Sequence, residues 1–237
     1  MTMLLAEIEV YHSRPIAPTR RVALGSLLLP CDPGPGVGGV LLGAVAARFT
    51  PELDPDIIPD LVSLTHEVEA GRRIPQPRLR HRFQEDRIGL TRSAHRLFRH
   101  EDGELSVSFT DENSQPGQMV LGAIYAAQTL GPMVRGSVLA AVRRGLAWNG
   151  DIGAALLVHL SGRGAGTLDG DALADPIGWA LRTLGFDLDC GTPERAAIQR
   201  SFRRSLIDAH PDHGGADELA AQRIADITEA RRILLAS

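Results

Sequence analysis

The sequence predicts a mainly α fold with minor β, in two parts: an α-rich N-terminal domain and a C-terminal helical hairpin. Three observations predict it. Residues 118–160 carry apolar stretches of helical length, interrupted at Gly131-Pro132. Strict two-residue alternation is confined to short segments, most clearly Glu104 to Phe109. Residues 192–235 hold two apolar stripes at spacings of three and four, separated by Pro211 and Gly214-Gly215. At 237 residues the chain suits two domains of ordinary size.

In chain order, Ile8 and Val10 sit two apart and Val22 to Leu29 is an apolar run ending at Pro30, so both read as short strands. Residues 32–39, Asp-Pro-Gly-Pro-Gly-Val-Gly-Gly, read as a loop because Gly and Pro break both regular structures. Val40 to Phe49 reads as a short apolar helix. Leu61, Leu64 and Val68 share a helical face over Leu61 to Ala70, with Gly71 as its stop. Residues 72–100 stand apart, with nine Arg, three His and two acids, Glu85 and Asp86. A strand over 104–109 and a turn over Asn113 to Gly117 follow. Helices are then expected over about 118–130, 132–146 and 151–160. Gly162 to Gly170 is polar and Gly-rich. The expected organisation is an N-terminal domain over 1–165, a linker over 166–174 and a C-terminal domain over 175–237.

Composition narrows the function classes. Net charge is −4, so the whole molecule has no basic excess to draw it onto nucleic acid or a membrane. Two distant cysteines, Cys31 and Cys190, argue against a disulfide framework and a zinc ribbon, and fit a reducing, cytoplasmic setting. Residues 1–10 contain Glu7 and Glu9 and lack the pattern of a signal peptide. The apolar run Val37 to Ala47 is too short to cross a bilayer, so no transmembrane segment is expected. All 25 basic residues are arginine, a bias expected of a high-GC bacterium such as an actinobacterium. The glycine loop 34–39 lacks the Lys-Ser/Thr of a phosphate-binding loop. Ser161-Gly162 carries no nucleophile signature. His12, His66, His81, His95 and His159 have no acid or nucleophile at a telling spacing. No catalytic residue, cofactor or metal is expected, and the chain does not read as an enzyme.

The C-terminal domain is the most informative part. Asp175-Pro176 precedes a short helical stretch, Ile177 to Leu184, with Gly185 as its stop. Thr192-Pro193-Glu194 offers a capping hydroxyl, a proline at the first helical position and an acid near the positive end of the dipole. The helix should reach Asp208 or Ala209, with Ile198, Phe202, Leu206 and Ala209 on one face and Arg200, Arg203 and Arg204 exposed on the other. Pro211 ends it. A second helix is expected from about Asp217 to Leu235, with Ile224, Ile227, Ala230 and Leu234 as its stripe. His210-Pro211-Asp212 would then sit at the bend of a hairpin.

These residues resemble a known family. Ile198-Gln199-Arg200-Ser201-Phe202-Arg203-Arg204, followed by His210-Pro211-Asp212, resembles helix II and the signature loop of J-domain co-chaperones. Leu184-Gly185-Phe186 is similar to the end of that family's helix I, and Ile224 to Ala230 to its helix III. The resemblance covers about residues 175–237. It implies that Arg200, Arg203 and Arg204 approach an acidic surface on a DnaK-type chaperone. It implies that Asp212 engages that chaperone and relieves a brake on ATP hydrolysis, with His210 and Pro211 shaping the loop. Chemistry would belong to the partner. The sequence departs from the pattern at Asp208, where a basic residue is common, and at Ala209, where an aromatic is common.

The function expected is thus stimulation of chaperone ATPase activity, with the N-terminal domain binding a client protein or targeting the chaperone. An oligomeric scaffold or adaptor using the apolar helices of 118–160, with a degenerate J-domain, is one alternative. A nucleic-acid-associated factor using 72–100 is another. The plainer expectation for that segment is that its arginines pair with acids at 52–69 and 101–112, leaving nucleic acid outside the expected partners.

Overall fold

The structure is a computed structural model that describes residues 2–14, 20–72, 79–110, 115–162, 175–188, 191, 193–209 and 217–236. Contacts divide the chain into two compact units, Met1–Gly162 and Arg163–Ser237.

The first unit corrects the expected fold class. It contains a five-stranded mixed sheet, so the chain is an α/β fold rather than a mainly α protein ending in a J-domain helical hairpin. Strands β1 (Met3–His12), β2 (Arg20–Leu28), β3 (His81–Phe83), β4 (Thr91–Arg99) and β5 (Leu105–Phe109) lie in the order β3-β2-β1-β4-β5. β1 is central and antiparallel to β2 and β4, β5 is antiparallel to β4, and β3 runs parallel to β2.

One of these strands, β4, escapes a periodicity reading for a physical reason. Along β4 the inward positions are Ser93, His95 and Leu97, so polar side chains occupy the face that usually announces a strand. Along β1 the outward positions Glu7 and Glu9 lie beside Ala6, Ile8 and Val10, all fully buried. Helices cover the Ile8/Val10 face: a Cβ on Gly122 would lie 2.6 Å from Val10 Cγ2, and Phe49 meets the His95 ring at 5.4 Å.

The helices of this unit are α1 (Gly36–Phe49), α2 (Ile58–Glu69), α3 (Pro116–Gln128), α4 (Pro132–Leu146) and α5 (Ala154–Ser161), with short 3-10 turns at Thr50–Glu52 and Pro55–Ile57. α1 and α3 lie on the sheet, and α4 packs on the far side of α1. α1 is therefore buried all round, with Arg48 alone escaping among its residues. It begins inside the expected loop. Gly38 and Gly39 lie in the helix because packing requires them: a Cβ on Gly38 would come within 2.7 Å of Cys31 Sγ, and one on Gly39 within 3.1 Å of Val138 Cγ2. The closest seam lies between α1 and α4, where a Cβ on Gly145 would stand 2.1 Å from the Gly43 carbonyl oxygen. Backbone meets backbone there, and tertiary contact outweighs the poor helix propensity of glycine.

The second unit has three helices around one core instead of a two-helix hairpin: α6 (Pro176–Thr183), α7 (Arg195–Asp208) and α8 (Asp217–Ala236). Trp179, Ala180, Leu181 and Leu184 come from the first, Ile198 and Ala209 from the second, and Ile227, Ala230, Ile233 and Leu234 from the third. The α6 stretch carries the only tryptophan of this core, which is why a hairpin of the other two helices does not account for it.

Candidate functional site

Local chemistry fixes α6 at both ends. Asp175 Oδ1 accepts the Gly178 N–H at 2.9 Å, with Pro176 in the first turn. At the other end Gly185 adopts φ +72° and the Phe186 N–H donates to the Leu181 carbonyl at 2.8 Å, a left-handed stop that favours glycine. Ser201 of α7 donates its hydroxyl to the Leu184 carbonyl, tying the second helix to the end of the first.

α7 starts later than expected. Its cap residue is Glu194, with no side-chain cap hydrogen bond, and its first helical residue is Arg195. Thr192 lies outside the described residues. Ile198 and Ser201 are buried, while Phe202 and Leu206 pack against the core. The guanidinium of Arg231 on α8 lies 4.6 Å from the Phe202 ring centroid, covering its outer side. The opposite face presents Arg200, Arg203 and Arg204, all exposed. Ile207 joins them at the next turn and is 62% exposed. Residues 200, 203, 204 and 207 share one helical face. The sequence reading missed Ile207, although the same spacing pointed to it. His210, Pro211 and Asp212 lie outside the described residues. Ala209, just before them, is buried in the core, and Asp208 is exposed.

In the first unit two arginines of 72–100 pair differently from the expectation. Arg92 pairs with Glu9 and Arg96 with Glu7, across the β1–β4 ladder rather than with acids at 52–69 or 101–112. These acids are more than 80 residues away in sequence, so only strand register reveals them. An irregularity in the β1–β2 pairing falls between Ile8 and Val10, where Ser26 turns its N–H to Glu9 Oε2 at 2.9 Å. Burial alone would raise the Glu9 carboxyl. The Ser26 N–H, Arg92 and Arg87 together outweigh it and hold the group below the usual carboxylate value.

Beneath the sheet lies a set of buried imidazoles. His12, His81 and His95 are 2%, 7% and 0% exposed. His12 Nε2 and Ser93 Oγ share a hydrogen bond of 3.1 Å. His95 Nε2 approaches Met119 Sδ at 3.4 Å. His81 Nδ1 donates to the Leu79 carbonyl at 2.7 Å, which leaves Nε2 as a buried acceptor without a partner. Burial lowers the pKa of His12, the Ser13 backbone offsetting part of the drop. Burial also lowers that of His81; the Leu79 carbonyl opposes the drop and Arg20 adds to it.

Among the described residues no group of three or more His, Cys, Asp or Glu could hold a metal ion. Cys31 is buried, and burial pushes its thiol up to about 11, too high for a nucleophile at neutral pH. Among the same residues no helix is long and apolar enough to cross a membrane. Searches of protein-family models, curated proteins and solved structures found no match to this chain.

Proposed function

We propose that the second unit is a J-domain-like module that stimulates ATP hydrolysis by a DnaK-type chaperone. The observation that carries this reading is the α7 face. Arg200, Arg203 and Arg204 are exposed on a helix whose other side is anchored by Ile198, Ser201 and Phe202, and in the sequence His210-Pro211-Asp212 follow Ala209 directly. An exposed basic face on a fixed helix suits an acidic protein surface, because the charges are held in place without being neutralised from within. The module would act by differential binding: it must prefer the hydrolysis-competent state of the chaperone to the resting one. In this reading the first unit recruits a client protein or localises the chaperone, and the protein works in the cytoplasm.

The test is single-turnover ATP hydrolysis by a DnaK-type chaperone with the full chain. Wild type should accelerate hydrolysis, Asp212→Asn should abolish the acceleration, and Arg200→Ala/Arg203→Ala/Arg204→Ala should lower the apparent affinity by at least about tenfold. Absence of any acceleration by the wild type removes the reading.

A further inference from the structure

One end of the sheet gathers arginines that make no ion pair among the described residues. Arg14 follows β1, Arg20 and Arg21 open β2, Arg80 and Arg82 flank His81, and Arg87 lies over the Tyr11 ring at 5.1 Å. Backbone pairing brings these residues together. The Ser13 N–H donates to the Arg21 carbonyl at 3.1 Å and the Arg20 N–H to the Arg80 carbonyl at 2.9 Å. Arg21 stands opposite Arg82 in the β2–β3 register. The Arg21 side chain reaches the Ile88 carbonyl at 3.4 Å, next to Arg87 in sequence.

None of these six guanidinium groups makes an ion pair with a described residue, although Arg87 acts through space on Glu9, whereas Arg92 and Arg96 further along the sheet are matched directly by Glu9 and Glu7. Glu85 is exposed on the neighbouring loop, and the Asp86 carboxylate accepts the Ile88 N–H of its own turn. The net charge of −4 thus conceals a local concentration of positive charge.

We propose that this end of the sheet binds single-stranded nucleic acid through its phosphate backbone. The guanidinium fork matches phosphate oxygens in pairs, and arginines that make no ion pair within the fold give none up on engaging them. The three strands concerned span about 10 Å, a track for one extended strand rather than a duplex. The Arg87–Tyr11 stack adds a flat cation-aromatic surface beside the track, against which a base can lie. This surface belongs to the first unit, and the proposal does not depend on the chaperone reading.

The experiment is fluorescence anisotropy of the full chain with labelled DNA and RNA single strands of about 15 nucleotides. The matching duplex and phosphatidylserine-containing vesicles serve as separate arms. Single strands should bind saturably at about 50 mM salt, and log affinity should fall with log salt by about 0.7 for each phosphate contacted. Arg21→Ala/Arg82→Ala should weaken binding at least about tenfold and flatten the slope by about 1.4. Arg14→Ala/Arg87→Ala, both at exposed positions, should act in the same direction and covers the case in which the first pair disturbs the sheet. Arg200→Ala/Arg203→Ala/Arg204→Ala should leave the affinity unchanged. The proposal is overturned if single strands do not bind, if both sheet variants bind as the wild type does, or if duplex or vesicles bind more tightly than the single strand.

Discussion

α1 and α7 are both 14-residue helices, yet they are opposite in design. α1 is held between the sheet and α4 and buries nearly every side chain, its glycines letting neighbouring backbone come into contact. α7 buries Ile198 and Ser201 fully, leans Phe202 and Leu206 on the core, and leaves its arginines outside. The first helix is positioned by shape, with almost no surface for a partner to read. The second is positioned by one stripe, and what remains is available for recognition. Tolerance to substitution should follow the same division: α1 has no permissive face, and α7 has one whose changes affect binding instead of folding.

The largest effect should come from Gly145→Leu, which breaks the close seam of α1. The added side chain would begin 2.1 Å from the Gly43 carbonyl, and its neighbours are backbone atoms and Ala46. Overpacking of this kind costs about 3 kcal/mol or more, equivalent to a fall in Tm of roughly 10 °C for a chain of this size. A calorimetric scan matching the wild type would show that α1 and α4 are not at backbone contact.

The buried imidazoles sharpen the same contrast through pH. His12 and His81 have folded pKa values below the unfolded value of about 6.5, so the unfolded chain takes up protons first. The stability they contribute is complete above about pH 6.5 and is lost as pH falls from there toward their folded values. Each contributes a slope of at most about 1.4 kcal/mol per pH unit. Denaturant melts of the sheet-bearing unit should therefore steepen in pH dependence below pH 6.5, and His12→Gln/His81→Gln should flatten that dependence. An unchanged slope in the double variant would place the acid sensitivity elsewhere.

A smaller effect is expected in the second unit. Asp175→Ala removes the carboxylate that accepts the Gly178 N–H and should destabilise α6 by about 1 kcal/mol. Hydrogen exchange over 176–184 should accelerate about fivefold, with α1 amides unchanged.

Legibility in the sequence followed the same division. α7, α8 and the outward arginines were readable because an amphipathic helix exposes its period. α2 was readable for that reason through Leu61, Leu64 and Val68, and β5 through its strict alternation. β4 was not, since its inward side holds Ser93 and His95, and the start of α1 was not, since its glycines serve contacts made with residues a hundred positions away. On the site side, Arg200, Arg203 and Arg204 were found by spacing. The Glu7 and Glu9 partners, and the meeting of Arg20 and Arg21 with Arg80 and Arg82, depend on register and were invisible to a linear reading.

Glu9 bears on how the chain avoids errors while folding. β1 meets β2 early, but its other neighbour, β4, is about 80 residues downstream, so half of the central pairing waits on a slow, long-range encounter. A strand that slips by one residue turns every side chain to the wrong face. In the native alignment the nearly buried Glu9 carboxylate is met at once by the Ser26 N–H from one side and by Arg92 from the other. A slipped β2 or β4 withdraws one of those partners and leaves a carboxylate short of charge compensation, an expense that an apolar side chain at that position would not impose. The native register is thus the one in which the Glu9 carboxylate is compensated from both neighbouring strands, and a slipped register costs it one of those partners.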